Sequence, residues 1–137
     1  MADIRVEDVM THLVVMLFPG DTISQAAKRL AHNAISGAPV VQDGKVIGIV
    51  SEADLIRAAM RRQGQTMRDV MTHRVEQIEP GTSIWKAAAI MEGRGVKRLP
   101  VVDESGHLLG IVSRGDVVKA IAREDDLAPG RVETASL

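Results

Sequence analysis

The chain has 137 residues, 45% of them hydrophobic, and 17 basic against 18 acidic side chains give a net charge of −1. That length fits one compact domain, or two very small ones, with a real core. The charge balance excludes the basic excess of a nucleic-acid binder, one Trp and one Phe without Tyr leave no base-stacking platform, the lack of Cys removes disulfides and thiol catalysis, and no apolar run is long enough to span a membrane.

In chain order, Met1-Ala2-Asp3-Ile4-Arg5 lacks a hydrophobic signal region, so a cytoplasmic protein is expected. Residues 13–18 form an apolar run ended by Pro19-Gly20, which predicts an extended segment and a turn. Thr22 with Gln25 three residues on predicts a capping box. The helix behind it carries Ile23, Ala26, Ala27, Leu30 and Ala34 on one face and stops at Ser36-Gly37. Residues 38–41 read as a strand with Pro39 near its start, 42–45 as a hairpin and 46–50 as a second strand. Ser51 then caps a helix predicted to run to about Arg62.

The chain then repeats itself. At an offset of 61, Asp8-Val9-Met10-Thr11-His12 falls on Asp69-Val70-Met71-Thr72-His73, Pro19-Gly20 on Pro80-Gly81, and Pro39-Val40-Val41 on Pro100-Val101-Val102. One inserted residue before Gly106 moves the offset to 62, and Gly48-Ile49-Val50-Ser51 falls on Gly110-Ile111-Val112-Ser113, with Asp54 on Asp116. Between Arg5 and Arg61, 22 of 57 positions are identical, where chance gives about three or four, so the chain is a tandem duplication. In the second unit Ile84, Ala87, Ala88 and Met91 form the first helix face. Each unit reads β-α-β-β-α and alone would be marginal, with a sheet face left exposed. Two units packed sheet to sheet about a pseudo-twofold axis, an α/β (α+β) fold, would share a core. The expected division is 5–62, 66–124 and a disordered polar tail at 125–137.

These motifs, twice and in register over residues 5–123, resemble a tandem pair of CBS domains, a Bateman module. The Val-Met-Thr start, the Pro-Gly turn, the helix entering Ala38-Pro39-Val40-Val41 and the Gly-Ile-Val-Ser-x-x-Asp run carry the resemblance.

Ser51-x-x-Asp54 and Ser113-x-x-Asp116 have a plain reading as helix caps, since Ser accepts from first-turn amides and the acid suits the helix's positive end. The same helix ends could attract phosphate, and a carboxylate can accept both hydroxyls of a ribose. The resemblance implies the second use. Asp54 and Asp116 would hold ribose hydroxyls, Ser51 and Ser113 would lie near ribose or phosphate, and Ile49 and Ile111 would wall the base. It also implies that main-chain groups of Ile35, Ser36 and Gly37, and of Val96, Lys97 and Arg98, read the adenine edge. Lys97 and Arg98 match phosphate-holding positions, although two solvated charges before a strand are common. They make the Asp116 cleft the expected stronger site. Thr11 and Thr72 would touch ligand, while His12 and His73 are expected at the surface or near phosphate.

Catalysis finds no support. There is no Gly-x-Ser-x-Gly elbow, the four His residues offer no i, i+4 pair, and Gly93-Arg94-Gly95 ends a helix instead of opening one. The expected function is regulatory and non-enzymatic: binding AMP, ADP or ATP, or alternatively NAD(H) or S-adenosylmethionine, and modulating a separate protein. A phosphorylated nucleotide is expected to bind more tightly than S-adenosylmethionine. The alternative is a ligand-independent interaction or dimerisation scaffold. A homodimer is expected, with Trp85, turned off the buried stripe, as a candidate anchor.

Overall fold

The computed structural model describes residues 4–12, 14–61, 65–73 and 75–127. Helix α1 (Val6–Val9) is followed by α2 (Ile23–His32), strands β1 (Gly37–Gln42) and β2 (Lys45–Ser51), and α3 (Glu52–Arg61). The second unit repeats the order with α4 (Met67–Val70), α5 (Ile84–Arg94), β3 (Arg98–Val102), β4 (Leu108–Ser113) and α6 (Arg114–Leu127). The strands pair as two antiparallel hairpins, β1–β2 and β3–β4. The mixed α/β (α+β) architecture and its duplication are as the sequence indicates.

Several local expectations hold with their chemistry visible. The Thr22 hydroxyl accepts from the Gln25 amide at 3.1 Å, and the Gln25 side chain accepts the Thr22 N–H at 2.8 Å. Others change. The extended segment within 13–18 contributes one parallel bridge, Leu17 to Val40, matched by Ile78 to Val101; Leu13 lies outside the described residues. The Leu17 N–H donates to the Pro39 carbonyl and the Val41 N–H to the Leu17 carbonyl, both at 2.8 Å. Ala27 is exposed, and Ala34 lies past the end of α2 with a left-handed backbone (φ 51°), so the buried face narrows to Ala26 and Leu30, with Ile23 half-buried. Helix α6 continues to Leu127, into the expected tail, because nothing in 122–127 breaks it until the constraint imposed by Pro129. Residues 128–137 of that tail lie outside the described residues.

The sequence also concealed how the units are joined. The segment that opens each unit packs on the other. Ile4 and Val6 are buried with Ile78, Ile84, Met91, Leu99 and Val112, whereas Met67 and Met71 are buried with Leu17, Leu30, Val40, Val50 and Leu55. Full burial of a side chain such as Met67 contributes about 1.5–3 kcal/mol. The exchange is reciprocal in its hydrogen bonds. The Val6 and Glu7 amides donate to the Thr82 and Pro80 carbonyls, at 2.8 and 3.1 Å, and the Met67 and Arg68 amides to the Asp21 and Pro19 carbonyls, at 3.0 and 3.1 Å. The two Pro-Gly turns are therefore receptors for the other unit's opening helix. The Asp of each Asp-Val-Met-Thr-His motif accepts the N–H of the residue capping that helix, Arg5 for Asp8 at 2.9 Å and Thr66 for Asp69 at 3.1 Å.

Candidate functional site

Helix α3 begins where β2 ends. The Ser51 hydroxyl accepts from the Asp54 amide at 3.2 Å, and an Asp54 carboxylate oxygen accepts the Ser51 N–H at 2.8 Å. Ser113 and Asp116 repeat this at 3.3 and 2.9 Å, and the Ser113 hydroxyl also lies 3.1 Å from the Asp116 carboxylate. Both Ser-x-x-Asp runs are thus reciprocal caps. Their surroundings differ. Asp116 is buried at 8% exposure, while Asp54 is half-buried and its second oxygen accepts from Arg57 at 2.7 Å.

A cleft of about 860 Å³ opens beside Asp54, within the range of small-molecule sites. One wall is Ile49, Ser51 and the first turn of α3 through Asp54. The facing wall is the α5–β3 turn, Arg94 to Leu99, and Thr72, Val75 and Glu76 complete the lining. Reciprocal packing explains the combination. Since α4 is anchored on the first unit, Thr72 is carried against β2, where its backbone and that of Ile49 exchange hydrogen bonds at 2.9 and 3.1 Å. Gly48 is required there, because a Cβ at that position would stand 2.9 Å from Met71 Cβ and 2.7 Å from its Cγ.

The α5–β3 turn brings three cations into one cleft. Gly95, in the left-handed conformation (φ 66°), ends α5 so that Arg94, Lys97 and Arg98 all line it. Lys97 is exposed. Arg98 is half-buried, donates to the Ser36 hydroxyl and lies over Gly37, where any Cβ would collide with its guanidinium. Burial pushes its pKa below the ordinary guanidinium value, opposed by the negative Glu52; the group stays charged. At the start of α3, two amides are already engaged, Glu52 with the Ser36 carbonyl at 2.9 Å and Asp54 with the Ser51 hydroxyl. Anion-binding capacity in this cleft therefore resides more in the basic turn than in the helix end.

This arrangement corrects the pairing expected from sequence. Lys97, Arg98, Val96 and Thr72 meet Asp54, Ser51 and Ile49, not Asp116, because this cleft is assembled across the units. The counterpart residues Thr11 and Ile111 exchange backbone hydrogen bonds at 2.8 and 3.0 Å, beside β4 and Ser113. Ile35 packs against the first core, and Ser36 and Gly37 lie under Arg98, with Ser36 also lining the Asp54 cleft. His12 and His73 are exposed. Sequence reasoning missed Glu52, Val75, Glu76 and Arg94; the signal available for Arg94 was a basic residue in the last turn of a helix, set aside with the Gly93-Arg94-Gly95 pattern. Trp85 is half-buried against the second core with its indole nitrogen buried and unpartnered among the described residues, so it does not stand out as a contact surface. Among the described residues, the large exposed apolar side chains are Ile56 and Met60 on α3 and Val118 and Ile121 on α6, with Phe18 and Leu109 elsewhere. No helix among the described residues is long and apolar enough to cross a membrane.

Comparison with known proteins agrees with the duplication. The CBS domain model matches residues 6–61 and 67–123. The protein MJ1426 of Methanocaldococcus jannaschii is 31% identical over 85% of this chain and 90% of its own length. Two further relatives from that organism are much longer, the chain spanning 44% and 40% of them. Among solved structures, CBSX2 of Arabidopsis thaliana in complex with AMP is 29% identical, with a TM-score of 0.80 over 88% of this chain and 97% of that one. The CBS domain pair of protein MJ0100, in complex with 5′-methylthioadenosine and S-adenosyl-L-methionine, is 25% identical, with a TM-score of 0.80 over 86% of this chain and 99% of that one.

Proposed function

The chain belongs to the CBS-domain family, as a tandem pair, and we propose that it is a regulatory, non-catalytic module that binds an adenosine nucleotide in the Asp54 cleft. The observation that carries this reading is that the helix-cap carboxylate of Asp54 and the cations Arg94, Lys97 and Arg98 line one cleft. In this reading Asp54 accepts the two ribose hydroxyls and Ile49 walls the base. The Val96 N–H is already bonded to the Met91 carbonyl at 3.1 Å and the Lys97 carbonyl to the Arg114 amide at 3.1 Å. Among the described residues that leaves the Val96 carbonyl and the Lys97 amide to read the adenine edge, and the Lys97 and Arg98 side chains to hold phosphate. A phosphate held by a cation gains a charge-assisted hydrogen bond, worth about 1.5–3 kcal/mol or roughly 10- to 150-fold in affinity. AMP, ADP or ATP is therefore favoured over bare adenosine, with NAD(H) and S-adenosylmethionine as the other ligands to measure. The AMP complex of CBSX2 and the adenosyl complexes of the MJ0100 pair support an adenosine-containing ligand.

Regulation would follow from geometry. The cleft is built from both units, so a ligand bridging them favours one mutual orientation, and a cytoplasmic partner or a second copy reads that orientation. Ile56 and Val118 occupy equivalent exposed positions of α3 and α6, which supports a homodimer formed through these helices and gives the ligand-free scaffold its one supporting observation. Titration calorimetry with AMP, ADP, ATP, NAD(H), adenosine and S-adenosylmethionine separates the readings. Submillimolar binding of a nucleotide is expected; no binding across the panel would leave the scaffold.

A further inference from the structure

The cleft contains an ion pair that a phosphate binder does not require. Glu76 Oε1 lies 3.2 Å from Arg94 Nε in an ion pair, and both residues line the same cleft as Asp54, Lys97 and Arg98. We infer that Glu76 is a counter-ion built into the cleft, which an incoming phosphate must displace from Arg94, and that it tunes the site toward a ligand with few phosphate charges. The inference rests on the nucleotide reading and names its specificity determinant.

Three observations carry it. First, the lining is electrically balanced: Glu52, Asp54 and Glu76 face Arg94, Lys97 and Arg98, three charges of each sign. A monophosphate, at about −1.5 to −2 near neutral pH, is a modest load for such a site. A triphosphate brings more negative charge with no further cation to meet it and two carboxylates, Glu52 and Glu76, to repel it. Second, the ion pair is exchangeable. Its partners are 68% and 40% exposed, and a pair this open to solvent contributes little, so an oxyanion with fork geometry can replace Glu76 on the guanidinium. Third, the device is specific to one cleft. At the equivalent positions of the first unit stand Val15 and Asn33, which cannot form an ion pair.

The experiment is a double-mutant cycle read by calorimetry with AMP and with ATP, using Glu76→Gln, Arg94→Ala and the double variant in the full chain. Both side chains are exposed, so the variants retain the fold, which thermal unfolding without ligand verifies. Glu76→Gln should tighten AMP about two- to fivefold, the scale of one exposed ion pair, and ATP by a larger factor. In the Arg94→Ala background the same change should have a smaller effect on AMP, because only direct repulsion is then relieved. An unchanged or weakened affinity in Glu76→Gln, an equal gain for both nucleotides, or an undiminished gain without Arg94 would overturn the counter-ion role. Wild-type protein that binds neither nucleotide would overturn the nucleotide reading itself, a result visible before any variant is made.

Discussion

Replacing Asp54 by Ala separates the two uses of the carboxylate. Without ligand, the variant loses the bond from the Ser51 N–H at 2.8 Å and the exposed pair with Arg57 at 2.7 Å. Loss of a cap costs about 0.5–2 kcal/mol, and the exposed pair adds about 0–1 kcal/mol. The apo protein should therefore melt several degrees lower but stay folded. With nucleotide at 100 times the wild-type Kd, linkage stabilises the wild type by about 2.7 kcal/mol. Counting only one of the two ribose bonds that Asp54 accepts, the loss weakens binding roughly 10- to 150-fold. At the same nucleotide concentration the variant should then gain only about 1.4 to 0.3 kcal/mol. Asp116→Ala is the internal control. Its cap geometry matches, but it lies outside the lining that includes Lys97 and Arg98. It should lower apo stability and retain most of the nucleotide-induced shift. Scanning calorimetry with and without AMP measures both quantities. A full shift in Asp54→Ala, or its loss only in Asp116→Ala, would refute the assignment.

Replacing Lys97 and Arg98 together by Ala should reduce the preference for AMP over adenosine to what Arg94 supplies while sparing weak adenosine binding, as measured by calorimetry. Gly48→Ala forces its new methyl into Met71, close to that residue's backbone, and should cost about 1–3 kcal/mol in denaturant unfolding and weaken nucleotide binding by moving Thr72. Light scattering should find a dimer that Ile56→Glu with Val118→Glu dissociates, whereas Trp85→Ala should mainly lower stability. The Asp103 carboxyl is held below its usual pKa, chiefly by the His107 backbone N–H. A depressed carboxylate stabilises the fold above its unfolded pKa, near 3.9, and loses that effect as pH falls through the folded value. Asp103→Ala should therefore flatten the most acidic part of the stability–pH curve and leave its slope near pH 7 unchanged.

The duplication, the strand pairs and both Ser-x-x-Asp caps were legible because they are local: a period, an alternation and an i, i+3 reach. The mismatched parts are those decided at long range. That Val6 belongs to the second core and Met67 to the first depends on the docking of α1 and α4 onto the opposite Pro-Gly turns, which no local pattern encodes. That exchange carries Thr72 to the Asp54 side, where the Lys97-Arg98 pair also lines the cleft, so a within-unit reading favours the other carboxylate. Trp85 illustrates a further limit. A position about 100° off a buried stripe can still be half-buried, as Trp85 is against the second core. Conversely, the apolar side chains left outside, Ile56 and Val118, were predictable only once α3 and α6 had been placed.

The most direct test is a structure of the protein determined with AMP. The ribose hydroxyls are expected on the Asp54 carboxylate, the adenine against Ile49 and Val96, and the phosphate on the 94–98 turn with Glu76 released from Arg94. A ribose held by Asp116, or a nucleotide bound away from both carboxylates, would contradict the account.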